Sequence, residues 1–202
     1  MIAASLGPVG HAAAAQHTYT VTQGGQCWEA TPLGDGSKSV SDFYDYRSGN
    51  GTEFSSYGTT QLQRDQVSQL FLYRGTSGTS LVFLHDELQS SENETRTAGA
   101  ITMQFSGLPA DGSWVVEDDT YPNRDDNFNH SGSTSKIDWM WAPGRTDGAA
   151  FRGSRTEVTT PSLSSHSSAR THGRLDIETR AGRTPRTTSP GRSERGTVTS
   201  RR

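Results

Sequence analysis

The sequence predicts an all-β domain, an antiparallel sandwich or jelly roll of seven to eight short strands, followed by a disordered C-terminal tail. Three observations carry this reading. Short runs alternate apolar and polar residues with a period of two, as half-buried strands do. Turn residues separate them at regular spacing, and glycine alone supplies 22 of the 202 residues. No run keeps the helical period long enough to make an amphipathic helix. Such a pattern fits a sandwich. A closed barrel is the alternative, because strand spacing does not separate the two.

Residues 1–15, MIAASLGPVGHAAAA, read as the end of a secretory signal, with Ala13 and Ala15 in the small-residue pattern that precedes cleavage. The mature chain is expected to begin near Gln16. No basic residue precedes Lys38, so the positive flank of a full signal is missing. The stretch is too short, and too broken by Gly and Pro, to span a membrane. Alternation begins at residues 18–22, where Tyr19 and Val21 share a face. A second strand over 26–31 closes at Pro32, and 34–36 is a turn. Residues 40–46 carry Val40, Phe43, Tyr44 and Tyr46 and fit neither period, so they read as a helical turn or an irregular strand.

Residues 50–60 are a polar loop. Over 66–74, Leu70 and Leu72 point one way and Phe71 and Tyr73 the other. A turn at 75–78 leads to the return strand 80–85, giving a hairpin near a sheet centre. After a polar loop over 87–98, residues 100–105 place Ile101, Met103 and Phe105 inward. Residues 107–112 turn the chain into a strand at 113–117. The last expected strand, KIDWMW over 136–141, carries Ile137, Trp139 and Trp141 on one face.

The net charge of -3 hides two opposite parts. Residues 1–151 hold 18 acids against 8 basic side chains, and residues 152–202 hold 4 against 11, all of the latter Arg. Lysine occurs only at Lys38 and Lys136. An acid-rich, Lys-poor surface suits strong salt, where screening removes the self-repulsion of a large net charge. An ordinary acidic secreted domain is the plainer alternative. The single Cys27 excludes an intramolecular disulfide, so the fold must stand without that cross-link. The tail, residues 152–202, lacks aromatics and period and buries too little apolar surface to order itself. It reads as a nucleic-acid arm, a glycan-bearing stalk, or an out-of-frame extension. The last is preferred, because an Arg-rich arm gains little in strong salt, and no nucleic-acid partner is expected. The divisions are therefore 1–15, 16–151 and 152–202.

The stretch 114–148 gathers the candidate chemistry. Asp118, Asp119, Asp125, Asp126 and Asn127 place oxygen donors densely on one loop, as calcium requires. Without an EF-hand spacing, a salt-adapted acidic surface is the competing explanation. Trp139 and Trp141, if exposed, would stack on sugar rings with Asp138, Arg145 and Asp147 as polar anchors; if buried, they are core. A hydrolase would pair Glu117 with Asp138 as acid and nucleophile. His85, Asp86 and Glu87 end a strand, and set a base beside acids or simply open a solvated loop. Asn50, Asn93 and Asn129 begin N-x-S/T sequons, which fit an exported glycoprotein. Nucleophile elbows, P-loops, dinucleotide fingerprints and zinc-protease motifs are absent from the sequence.

The segments SVSDFYDYR, SLVFLHDE, ITMQFSGLPADGSWVVEDD and IDWMWAPGRTDGAAFRG resemble exported surface proteins of haloarchaea over about residues 18–153. The resemblance implies export, high salt and a β-rich domain, and assigns no catalytic residue. The expectation is a secreted or cell-surface domain with a binding or structural role, stabilised by calcium. Its partners would be a cell-surface glycan or a surface protein. A carbohydrate-binding module or glycoside hydrolase is the alternative.

Overall fold

The computed structural model describes residues 18–23, 26–48, 54–88, 98–121, 125–153, 158–159, 174–177 and 196–200. The chain opens with β1 (Tyr19–Gln23), β2 (Gln26–Ala30) and a short helix α1 (Val40–Tyr44). Then come β3 (Tyr46–Arg47), β4 (Ser55–Ser56), β5 (Val67–Gly75) and β6 (Gly78–His85). The strands β7 (Gly99–Ser106), β8 (Ser113–Glu117), β9 (Asn127–Ser131), β10 (Thr134–Trp141) and β11 (Asp147–Arg152) follow. Last are β12 (Val158–Thr159), β13 (Arg174–Ile177) and β14 (Gly196–Ser200).

Two sheets face each other. One runs β13-β5-β6-β11-β8 and the other β2-β1-β14-β12-β7-β10-β9, with β3-β4 as a separate ribbon. The pairings are antiparallel apart from β13 on β5 and a bridge from Leu33 to Tyr73. The fold is thus the all-β sandwich expected. Between the sheets, Leu70, Leu81, Phe83, Ala149 and Phe151 meet Met103, Phe105, Ile137, Trp139 and Trp141. Burial of such side chains, at about 1.5–3 kcal/mol for each large one, is the main drive holding the two layers together.

The alternation of β5 works on both faces. Leu70 enters the inter-sheet core, while Phe71 and Tyr73 join Val82, Leu84, Val116 and Ala150 on the outer face. That outer face is closed by α1, through Val40 and Tyr44, and by Phe43 stacked on Tyr73 at 4.1 Å. Ser39 caps the helix by accepting a hydrogen bond from the Asp42 amide at 3.0 Å, and Asp45 ends it in the left-handed region at φ 50°. Residues 40–46 matched neither period because they divide between this helix and β3.

One irregularity decides where the acids go. In β8, Ala150 pairs with Val116 and Phe151 with Trp114, which leaves Val115 as an extra residue, a β-bulge. Trp114 and Val116 would otherwise share a face. With the bulge, Trp114 packs on Phe83, Phe105 and Phe151 in the inter-sheet core, and Val116 packs on the helix side.

Residues 136–141 are not the last strand, because β11 follows, and it continues through Arg152, past the boundary expected at 151. After it, residues 158–159, 174–177 and 196–200 are extended and paired, whereas the sequence led us to expect disorder there. The signal-like residues 1–15, Asn50 and Asn93 lie outside the described residues. Among the described residues no helix is long and apolar enough to cross a membrane.

Candidate functional site

The antiparallel register brings the ends of β6, β8 and β10 together with the starts of β5 and β11. Asp147 pairs with His85, His85 with Ser68, and Ala149 with Glu117. This end of the sandwich is polar inside. Asp118, Asp126 and Asp147 are 1%, 4% and 1% exposed. Each has one carboxylate oxygen held by the protein. Tyr44 donates its hydroxyl to Asp118 Oδ2 at 2.7 Å, the Met140 amide donates to Asp126 Oδ1 at 2.9 Å, and the Gly148 amide donates to Asp147 Oδ1 at 2.7 Å. Among the described residues, no donor reaches Oδ1 of Asp118 or Oδ2 of Asp147 in a hydrogen bond.

Electrostatics follows from that burial. Desolvation pushes the Asp118 carboxyl well above the usual range, opposed by the Tyr44 hydroxyl and reinforced by Asp119 and Asp126. Desolvation does the same to Asp147, with Asp118 and Asp126 next in weight. Asp126 is pushed up to about 7, first by burial, against the Met140 N–H. Its carboxyl lies within hydrogen-bonding reach of Asp147. The charged neighbours that weigh most on all three are other carboxylates. Asp119, half-buried, accepts a hydrogen bond from the Tyr46 hydroxyl.

A wall of polar contacts encloses the node. Trp139 Nε1 donates to the Gly148 carbonyl at 3.1 Å. Behind Tyr44, the Ser56 amide donates to Thr146 Oγ1 at 2.8 Å, and the Thr146 amide to Ser55 Oγ at 3.1 Å. Ser55, Ser56 and Thr146 are fully enclosed. Beside the node, the His85 ring is buried and stacked on Trp141 at 5.5 Å, with Nδ1 2.8 Å from Ser68 Oγ. Burial alone lowers His85 to about 3, so it is neutral. Asp86 Oδ2 accepts from Trp141 Nε1 at 2.7 Å. His85 and Asp86 are therefore interior groups, not the start of a solvated loop.

The remaining candidates are dispersed. Glu117 Oε1 lies 3.1 Å from His130 Nε2, and His130 stacks on Trp114 and reaches the inward Ser135 Oγ at 2.8 Å. Asp138 lies on the outward face of β10, where it accepts from Thr102 Oγ1 at 2.5 Å and Lys136 Nζ at 3.0 Å. Burial raises its carboxyl, but those hydrogen bonds win and hold it below the usual range. Glu117 thus belongs to the five-stranded sheet and meets His130, while Asp138 stands on the outward face of the other sheet. Trp139 and Trp141 are 1% and 6% exposed, so they are core and offer no stacking platform. Arg145 is half-buried in the turn before β11, while Asp125, Asn127 and Asn129 are exposed.

Comparison with protein-family models, curated proteins and solved structures finds no match.

The expected calcium loop is therefore divided. Asp118 and Asp126 enter the node, Asp119 lines its margin, and Asp125 and Asn127 face solvent. Asp147, expected as a sugar anchor, is the third member. Tyr44 was legible only as an aromatic. Among the described residues, no three carboxylate, histidine or cysteine side chains stand as a preassembled chelating set. Outside the node, an open groove of about 810 Å³ lies between α1 and β8, lined by Lys38, Asp42, Asp45, Tyr46 and Glu117 among others.

Proposed function

We propose that the chain is a non-catalytic β-sandwich domain, secreted or displayed at a cell surface, with a structural or binding role. The observation that carries this is the sealing of the concentrated acids. Asp118, Asp126 and Asp147 lie inside the fold, where they act on its stability and meet no substrate. The acid pair that a glycosidase needs must flank one bond, about 5–9.5 Å apart. Glu117 lies on one sheet against His130, and Asp138 on the outward face of the other. The acid-rich, Lys-poor composition supports an exported domain adapted to strong salt, and a surface glycan or surface protein is the partner class that suits it.

Polysaccharide panels incubated with the full chain test the reading. No release of reducing ends is expected, and neither Glu117→Gln nor Asp138→Asn should change the outcome. Release that Glu117→Gln abolishes would overturn it.

A further inference from the structure

At the sealed end of the sandwich, acid meets acid. Asp126, in the loop before β9, and Asp147, at the start of β11, are 4% and 1% exposed, and their carboxyls lie within hydrogen-bonding reach of each other. An ionised carboxylate only accepts hydrogen bonds, so a bond between two carboxyls requires a proton on one of them. The backbone occupies one oxygen of each: the Met140 amide donates to Asp126 Oδ1 and the Gly148 amide to Asp147 Oδ1. The bond between the acids raises Asp147 and lowers Asp126, as it does when Asp147 is the donor. The two sides differ in support. β11 is paired on both edges, to β6 and β8, so Asp147 is held in place. β9 stops pairing with β10 where Asn127 faces Asp138, and Asp126 continues that edge through its side chain on the Met140 amide.

We propose that Asp126 and Asp147 share one proton, and that this proton latches the loop before β9 onto β11, closing the sealed end in acid and releasing it as pH rises. Among the described residues, the ionisable groups facing the pair are Asp118 and Asp119 at the end of β8, Asp125 and Tyr121 in the loop that follows, Tyr44 of α1 and Tyr46 of β3. His85 of β6 stands opposite Asp147 in the register and is kept neutral by burial. β10 brings the Met140 amide and the Trp139 indole. Arg145, in the turn before β11, is not among the charges that weigh most on either carboxyl. Loss of the proton therefore leaves two negative charges side by side among other acids, where water screens them poorly. Burial is the first cause that holds both carboxyls above the value of about 3.9 of an unfolded aspartate, with Asp126 pushed up to about 7. The pair's stabilising contribution is thus complete below that unfolded value and is lost as pH rises through the folded ones.

The test compares urea unfolding of the unaltered full chain with that of Asp147→Asn between pH 5 and 8. The asparagine amide donates to Asp126 throughout this range, and its oxygen still accepts from Gly148, so the variant keeps the latch and loses the titration. Relative to the variant, the unfolding equilibrium constant of the unaltered chain should rise with pH, approaching about tenfold per pH unit until the shared proton is gone. His85 is common to both proteins and cancels. Asp125→Asn, an exposed acid of the same loop, should keep the slope of the unaltered chain. Should Asp147→Asn fail to fold, infrared spectra of the unaltered chain decide the matter. At pH 6 the folded chain should show the carbonyl stretch of a protonated carboxyl, and the heat-unfolded chain should not. The band should fade over the same pH range in which stability falls. A constant ratio between the two proteins, an Asp125→Asn slope reduced to that of Asp147→Asn, or no protonated-carboxyl band at pH 6 would each overturn the latch. The non-catalytic reading stands apart from these results, because it rests on where Glu117 and Asp138 lie.

Discussion

His85 shows how burial turns an ionisable side chain into a structural one. Its imidazole fills space against Trp139 and Trp141 and bonds Ser68, with no carboxylate among the causes that shift it. An unfolded histidine takes up a proton near pH 6.5, but the folded one resists until about 3. The depressed folded value means that its stabilising contribution is complete above pH 6.5 and is lost as pH falls through that window. The loss approaches about 1.4 kcal/mol per pH unit. Urea unfolding of the unaltered chain and His85→Gln between pH 6.5 and 4 checks this. The unaltered chain should lose stability relative to the variant as pH falls. Asp126, which is shifted the other way, is common to both proteins and cancels in the difference. A pH-independent difference would mean that the ring titrates in the folded protein as it does in water.

At the scale of elements, β11 is placed by small residues. A Cβ on Gly148 would meet the Phe83 carbonyl oxygen at 2.2 Å and the Tyr44 hydroxyl at 2.8 Å. The first is backbone in the neighbouring strand and cannot swing away. Gly148→Ala should therefore cost about 3 kcal/mol, the upper part of the range for an overpacked core. It should also move Tyr44 off Asp118, which the near-ultraviolet tyrosine signal reports. The same smallness hid the strand from the sequence. DGAAFR shows no alternation, because Gly148, Ala149 and Ala150 serve both faces without looking apolar or polar. NFNHS in β9 was hidden for the opposite reason, since only Phe128 marks an inward face. The hairpin of β5 and β6 was legible because each residue from Leu70 to Tyr73 is large and has one side to go to. The node was half legible: local acid density points to residues 117–127, but only strand register brings in Asp147 and turns Asp125 outward.

For the whole molecule, β14 is the strand that joins β1 to β12 and so to the rest of its sheet. The buried members described for both large core clusters lie between Val40 and Phe151. A chain ended at Gly153 should therefore keep a cooperative transition and its near-ultraviolet tryptophan spectrum. It should lose some stability as β1 and the start of β5 lose a partner each. Loss of the tryptophan spectrum on truncation would show that the late strands are needed for the core. The abrupt change of composition at residue 152 does not coincide with the end of strand pairing, which continues in β12, β13 and β14.

The extra residue in β8 makes the strand tolerant of a loss at one position. Because Val115 lies outside the pairing of Val116 and Trp114, the strand counts odd and even differently on its two sides. Removing that one position would restore a single count. Trp114 and Val116 would then be successive residues, which in a regular strand point to opposite faces, as these two already do. Glu117 and Asp118 would keep the compartments they occupy. What would go is the local bend and added twist that a bulge gives a strand. A one-codon loss at Val115 should therefore spare both cores and the buried acids, whereas the same loss in β5 or β6, where pairing is unbroken, would turn each following side chain to the wrong face.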